Sequence, residues 1–265
     1  MSSWLTILRK DLRLSRNNDL VSLIGIVVIE SLLLYLAYRT HDGGATALTL
    51  SLLLLHAFFL PIYVYMSLAR EWRKTSPLWL HLPQPGWALL ASKFASGLIQ
   101  MLISFCVTGL GTVWIVAVDD AHLRALARIT DAQIFYFDLQ LACLLTAAVF
   151  ALAIYMAIWA ALVSLVMQAT RHQLGRWRWL VGLGIVGLGT WGVGALEHSR
   201  PYHWLSDWGR WPITLTVPDR WTWPGHGPHT LSLYHFYAGD LLWSLVLLAV
   251  VYAVCAWLLD KKVEV

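Results

Sequence analysis

The stretch REWRKTSPLWLHLPQPGWALLASK, residues 70–93, lies between two apolar runs that are each long enough to cross a bilayer. It is too polar to cross a membrane and more apolar than an ordinary solvated loop. Thr75 or Ser76 can cap a short helix that starts at Pro77. Pro83 then ends that helix. The apolar contacts of the predicted helix, which spans residues 77–82, are Leu78, Trp79 and Leu82.

Local chemistry leaves two uses open for this short helix. Trp and basic residues are common among lipid headgroups, so the helix can rest at the membrane surface. It can equally insert its apolar side chains into a groove on a soluble partner.

Composition places the chain among integral membrane proteins, because 58% of its 265 residues are hydrophobic and only 13% are charged. Each apolar run has at least the ~17 residues that a tilted helix needs to span the hydrocarbon core. The first run lacks a small-residue cleavage pattern and is expected to be retained. The sequence predicts an all-α membrane protein with six transmembrane helices. The runs are Leu20 to Tyr38, Ala45 to Leu68, Phe94 to Val118, Leu139 to Met167, Leu180 to Leu196 and Leu241 to Leu259.

Orientation follows from the positions of Lys and Arg, which concentrate in the N-terminal segment, in residues 70–93, in the fourth-to-fifth connection and in the tail. Cytoplasmic loops carry this excess. We therefore predict a multi-pass protein of the cell membrane with both termini in the cytoplasm. The net charge of +4 reflects the same bias, and no basic patch points to nucleic acid.

Residues 1–19 carry an amphipathic pattern, with apolar side chains on one side of a helical wheel and Arg and Lys on the other. The pattern predicts a helix lying in the plane of the cytoplasmic interface. Asn17, Asn18 and Asp19 supply turn chemistry before the first span. The helix is either a topology anchor or a mechanical link between a partner and that span.

Glu30 and His56 lie inside the first and second apolar runs, both roughly 12–17 Å from the outer helix ends at 1.5 Å per residue. Ionisable groups at such depth usually face protein or a water-filled cavity. The pair is therefore either a buried hydrogen bond between two helices or part of a substrate or proton path.

The fifth run is rich in glycine, which lets another helix approach closely. A GxGxxG pattern at residues 182–187 lies within lipid without a preceding strand, so a dinucleotide site is excluded. We expect a helix contact, either within the subunit or across a dimer. Its candidates are Gly182, Gly187, Gly189 and Gly194.

Residues 197–237 form a long outward-facing segment with a high density of aromatic side chains. Such side chains favour the membrane interface. His226 and His229 lie three residues apart, but the spacing matches no zinc module and no Cys joins them, so no metal ligands are predicted. The candidate outer-segment residues are Trp204, Trp208, Trp211, Trp221 and Trp223.

These features together resemble the permease subunits of bacterial ABC-2 type ABC transporters. The strongest match is EWRKTSPLWLHLPQPGWALLASKF, which is similar to the family's second-to-third connection, and the terminal LLDKKVEV adds to it. The resemblance implies a single permease domain over residues 1–265. In it, Pro77 and residues 78–82 would form a coupling helix that docks on an ATPase, the N-terminus a connecting helix, and residues 197–236 outer re-entrant helices.

The resemblance also implies partners and a function. This chain has no GxxxxGK[ST] loop, so it is not expected to be catalytic alone, and ATP and Mg belong to a separate nucleotide-binding subunit. A second permease, identical or related, would complete the pathway. The expected function is export of an amphipathic substrate such as a lipid, a peptide antibiotic or a hydrophobic drug. Alternatives are a transport-inactive sensor or scaffold that docks an ATPase or kinase, and a membrane enzyme with a metal site formed by the outer His residues.

Overall fold

The computed structural model describes residues 3–40, 43–74, 84–127, 131–171, 175–217 and 229–261. Within these residues, six helical segments are long and apolar enough to cross a membrane, which confirms the predicted number of candidate spans. The helices are α1 (Ser3–Thr40), α2 (Gly44–Leu55), α3 (Phe59–Lys74), α4 (Gly86–Ala127), α5 (Asp131–Ala169), α6 (Arg178–Glu197), α7 (Arg200–Ser206) and α8 (Ala238–Lys261). The strands are β1 (Arg210–Val217) and β2 (His229–Tyr237).

The second span is divided into α2 and α3 by a single 3₁₀ turn, His56–Phe58. Pro61 explains the change of helix type, because it has no amide hydrogen to donate to the carbonyl of Ala57 and its ring crowds that turn. His56 lies at this break, where the regular pattern of backbone hydrogen bonds changes.

The predicted turn at residues 17–19 is wrong, because α1 continues without interruption from Ser3 to Thr40. The Ser15 hydroxyl donates to the backbone carbonyls of Asp11 and Leu12 inside the helix. Asp11 and Ser15 are also buried against α4, and such tertiary contacts override the weak turn preference of Asn and Asp. The segment predicted as a separate in-plane helix is therefore the first part of a helix that continues into the first span.

The core is formed by α3, α4, α5 and α8. In α5, Ala153, Ala157 and Ala161 recur every fourth residue and are fully buried. Small side chains at this spacing lie on one helix face and let neighbouring helices approach closely. Leu60, Val64 and Leu68 form the corresponding buried stripe on α3.

The helical or re-entrant structure predicted for the outer segment is wrong for residues 210–217 and 229–237, where β1 pairs antiparallel with β2, while α7 is helical. Ile213, Leu215 and Val217 alternate with threonines in β1, and β2 carries Thr230 and the aromatic residues Tyr234, Phe236 and Tyr237. This composition favours a pleated strand over a helix. The chain is consequently a helical membrane protein that also carries a small β-hairpin.

Candidate functional site

A buried ionic cluster joins the two ends of the stretch 70–93 to the beginning of the chain. Lys93 is only 1% exposed, and its Nζ donates to Asp11 Oδ1 at 2.6 Å and to Glu71 Oε1 at 2.8 Å. The Ser92 hydroxyl donates to the other carboxylate oxygen of Asp11 at 3.2 Å. α1, α3 and α4 are thus held together by one cation, and we call Asp11, Glu71 and Lys93 the ionic cluster.

Lys10 adds a second cation beside the ionic cluster, so that two lysines face two carboxylates and the charges balance. Lys10 Nζ lies 3.0 Å from Glu71 Oε1, with its side chain 46% exposed. A buried charge without a partner is strongly unfavourable, so the position of each member of the ionic cluster is set by the others. This arrangement fixes the geometry of three helix ends.

Further hydrogen bonds hold residues 84–88 in place. The amide of Gly86 donates to Asp260 Oδ1 at 2.7 Å, which places the carboxylate of α8 at the positive N-terminus of α4. Trp4 Nε1 donates to the carbonyl of Ala88 at 3.2 Å, and the Tyr252 hydroxyl donates to the carbonyl of Trp87 at 2.7 Å. Both sides of the predicted docking helix are therefore attached to a common base formed by α1, α3, α4 and α8.

The helix ends that meet here, where α1 begins and α8 ends, form what we call the terminal end. The predicted docking residues lie in the connection between α3 and α4, outside the described residues. They are Pro77, Leu78, Trp79 and Leu82.

Glu30 and His56 are both buried, and threonines lie between them. Glu30 Oε1 lies 3.0 Å from the Thr49 hydroxyl, and Thr49 in turn lies 2.9 Å from the Thr112 hydroxyl. His56 Nε2 lies 3.4 Å from the Thr108 hydroxyl, one helical turn before Thr112. The Thr112 hydroxyl donates to the backbone carbonyl of Thr108 at 2.9 Å, so Glu30 and His56 are connected through three threonines and one backbone carbonyl. The role predicted for this pair, as a path or as a helix contact, remains a prediction.

The glycines of α6 divide into two faces. A Cβ at Gly189 would lie 2.6 Å from the ring of Trp159, and one at Gly182 would lie 3.0 Å from Met167 Sδ. These two glycines therefore allow α6 to approach α5 within the subunit. A Cβ at Gly187 or Gly194 would meet no described residue within 4 Å, so these positions lie on the face of α6 turned away from α5.

The opposite end of the bundle, where the hairpin meets the start of α8, presents aromatic side chains at its surface. We call it the hairpin end. Trp204 is 85% exposed, Trp211 75% and Trp208 51%. Trp221 and Trp223, predicted to belong to the same surface, lie outside the described residues.

A side-chain hydrogen bond connects α7 to α8 at the hairpin end. The hydroxyl of Tyr202 donates to Asp240 Oδ1. This bond to the carboxylate, followed by burial and the nearby negative charge, raises the pKa of Tyr202 to about 12. The phenol therefore stays protonated and bonded at neutral pH.

Sequence reasoning missed Asp11. A signal was present, because Asp11 lies four residues after Ile7 and four before Ser15, on the face of α1 that is buried. An acidic residue on that face of a basic helix requires a buried cationic partner. The partner, Lys93, lies 82 positions away in the chain, beyond the range of local patterns.

Comparison with known proteins gives one partial match. The chain is 31% identical over 140 residues to the Uncharacterized protein YhcE of Bacillus subtilis strain 168. The match spans about half of each protein, 51% of this chain and 51% of its relative. No protein-family model matches the chain, and no solved structure matches it.

Proposed function

We propose that the chain is the transmembrane permease subunit of an ATP-driven transporter of the ABC-2 type. The observation that supports the proposal is the bonding of the helices at the terminal end. There, Glu71 and Gly86, on either side of the predicted docking helix, are bonded to α4, α1 and α8. A segment that receives force from an ATPase requires attachment points that move together with the spans. The ionic cluster and the Gly86–Asp260 bond meet this requirement.

In the proposed mechanism, ATP closes a pair of separate ATPase subunits, and their movement reaches this chain through Leu78, Trp79 and Leu82. The ionic cluster then passes the displacement to α1, and the Gly86–Asp260 bond passes it to α8. Two permease copies, identical or related, rearrange and release an amphipathic cargo outward. ATP and Mg act on the partner subunit.

This function requires the terminal end to face the cytoplasm, since ATP is found there. Lys and Arg are concentrated near the same end, in agreement with that orientation. The hairpin end would then face outward in the cell membrane, with its exposed Trp side chains in the outer interface.

Affinity purification of the tagged full chain from its native membranes tests the proposal. We expect a stoichiometric partner that contains a GxxxxGK[ST] loop and hydrolyses ATP. Leu78→Asp with Trp79→Asp should reduce its recovery roughly tenfold or more, because two charges would enter an apolar contact. Trp204→Asp, at the hairpin end, is the matched control and should leave recovery unchanged. Intact recovery with the double variant would contradict the docking assignment.

Cargo is tested by comparing resistance to membrane-active peptides in cells with and without the protein. Reduced resistance to one class in cells lacking the protein would identify that class as cargo. Unchanged resistance to several classes would count against their export. A partner ATPase that binds but is stimulated by no cargo would instead favour the sensor or scaffold function.

A further inference from the structure

Glu30 is an acid buried in the first span without a cation beside it. Its side chain is 7% exposed and lies about 15 Å from the outer end of α1, at 1.5 Å per residue. In the part of the chain that the structure describes, no Lys, Arg or His lies within ion-pair distance of Glu30. α2, whose Thr49 contacts Glu30, contains no titratable side chain. An ionised carboxylate in such surroundings is strongly unfavourable, whereas a neutral carboxylic acid is tolerated.

The contacts around Glu30 also require an additional hydrogen. Glu30 Oε1 lies 3.0 Å from Thr49 Oγ1, which lies 2.9 Å from Thr112 Oγ1. The Thr112 hydroxyl lies 2.9 Å from the carbonyl oxygen of Thr108. The two hydroxyls supply two hydrogens for these three contacts between oxygen atoms. With an ionised Glu30 one contact has no hydrogen, and a hydrogen on the Glu30 carboxyl group fills it.

His56 is the first of two other titratable side chains that face this chain of contacts. It lies in the break between α2 and α3, and its Nδ1 is 3.0 Å from the carbonyl oxygen of Leu52. Because a carbonyl oxygen can only accept, the ring hydrogen lies on Nδ1. Nε2, 3.4 Å from the Thr108 hydroxyl, can then accept from it. A neutral imidazole satisfies both contacts, so His56 does not provide a fixed positive charge for Glu30.

Asp119, on α4, is the second of these titratable side chains. It is buried, and its Oδ2 accepts from the Thr46 hydroxyl at 2.6 Å. Asp119 follows Thr112 by about two helical turns, so both lie on the same face of α4. An acid can add only negative charge to this face, which disfavours ionisation of Glu30 further. The groups contributed by α2, α4 and the break therefore favour the neutral form of Glu30.

We propose that Glu30 is a proton-binding site that controls the contact of α1 with α2 and α4. In the protonated form, the carboxyl group donates to Thr49, and Thr49 donates to Thr112. Thr112 completes this chain at the Thr108 carbonyl. When the carboxyl O–H bond breaks and the proton passes to the aqueous buffer, Thr49 donates back to Glu30. The contact between Thr49 and Thr112, which joins α2 to α4, then loses its hydrogen.

Gly111 explains why the carboxyl group can reach this position. A Cβ at Gly111 would lie 2.6 Å from Glu30 Oε2, so the absence of a side chain lets Glu30 lie against the backbone of α4. The proposal does not depend on the proposed function, because it requires neither an ATPase nor a cargo. The ionic cluster provides the contrast within the chain, since its buried Asp11 and Glu71 share Lys93 as a cation.

Infrared spectroscopy of the full chain in lipid bilayers tests the proposal. A protonated carboxyl group has a C=O stretching band that ionised carboxylates lack. We expect the unchanged protein to show this band at neutral pH, and Glu30→Gln to lose the intensity of one acid group. The Gln amide has a similar size and can donate to Thr49, so folding is preserved. Absence of the band from the unchanged protein, or equal bands in the two proteins, would overturn the proposal.

Glu197→Gln is the matched control for this variant. Glu197 is exposed at the end of α6, where a carboxyl group is ionised at neutral pH. The same substitution there should leave the acid band unchanged. An equal loss of the band in Glu197→Gln and Glu30→Gln would contradict the assignment of the proton to Glu30.

Two substitutions of Thr49 test the direction of the hydrogen bond. Thr49→Val removes the acceptor of the Glu30 hydrogen, so the acid band should move to higher frequency. Thr49→Ser keeps the hydroxyl and should keep the frequency of the unchanged protein. An unchanged frequency in Thr49→Val would contradict donation from Glu30 to Thr49.

Hydrogen–deuterium exchange tests control of the helix contact. The amides of residues 44–55 are compared in the unchanged protein and in Glu30→Gln, always at the same pH, so that the intrinsic pH dependence of exchange cancels. We expect equal exchange where the acid band of Glu30 is present. At the alkaline pH that removes this band, exchange in the unchanged protein should be roughly fivefold faster, because one buried hydrogen bond is lost. Equal exchange in the two proteins at every pH would overturn the proposed control.

Discussion

The two ends of the helix bundle use polar and aromatic residues in opposite ways. At the terminal end, charged side chains are buried and bonded across helices, as the nearly inaccessible Lys93 shows. At the hairpin end, large aromatic side chains such as Trp204 and Trp211 point away from the protein. The terminal end therefore has a fixed internal geometry, and the hairpin end has an adaptable surface.

This difference suits the proposed transporter. A subunit that receives force needs helix ends whose relative positions are set by strong, directional contacts. A surface that lies against lipid or a varied amphipathic cargo needs aromatic side chains with an apolar body and a polar edge. The predictions below test whether the two ends differ in this way, beginning with the largest expected effect.

Lys93→Met should produce the largest loss of stability, about 3–5 kcal/mol, because it leaves two buried carboxylates without their shared cation. Thermal unfolding of the detergent-solubilised chain, followed by size-exclusion chromatography, measures the loss. Lys10→Met is the matched control, since the half-exposed Lys10 also contacts Glu71, and it should cost less than ~1 kcal/mol. Similar losses in the two variants would mean that the ionic cluster does not set the geometry of this end.

A combined variant separates charge from packing. Asp11→Asn, Glu71→Gln and Lys93→Met together remove every charge of the ionic cluster and should be more stable than Lys93→Met alone. Additive losses would show that the three residues act independently.

Between the two ends, Gly111 should be the next most sensitive position. A Cβ there would lie 2.6 Å from Glu30 Oε2, so Gly111→Ala should displace the carboxylate and cost about 1–3 kcal/mol in the same assay. Gly109→Ala, two residues earlier in α4, meets nothing within 4 Å in the part of the chain that the structure describes and should be neutral or stabilise by up to ~1 kcal/mol. If Gly111→Ala left the stability unchanged, the Glu30 carboxylate would not lie against Gly111.

At the hairpin end, Tyr202→Phe should have the smallest effect, about 1 kcal/mol, because one half-buried hydrogen bond is lost. The folded pKa of about 12 exceeds the ordinary value of 10. The contribution of this bond to the free energy of unfolding is therefore complete below pH 10 and is lost as the pH rises through 12. The difference in melting temperature between the two proteins should vanish at high pH, and a constant difference would contradict the Tyr202–Asp240 bond.

The parts that sequence reasoning predicted are those encoded locally. Six apolar runs predict six spans because each run is continuous, and Glu30 and His56 stand out because their neighbours are apolar. Gly182 and Gly189 were likewise recognisable as packing positions. Their partners on α5 could not be predicted, since the sequence of one helix does not show which other helix packs against it.

The errors arose where contacts between distant residues decide the structure. Asn17 and Asp19 prefer a turn in isolation, but the burial of Asp11 and Ser15 against α4 keeps α1 helical. In the outer segment, the density of Trp and His obscured the alternation in residues 210–217 that predicts a strand. Attention to period rather than composition would have found β1.

Photo-crosslinking from the two ends tests the central claim most directly. A photoreactive amino acid replaces Trp79, in the predicted docking helix, or Trp204, at the hairpin end, in the full chain within its native membranes. We predict that position 79 forms an adduct with a protein containing a GxxxxGK[ST] loop and that position 204 forms none. Absence of that adduct from position 79, or an equal yield from position 204, would contradict the account.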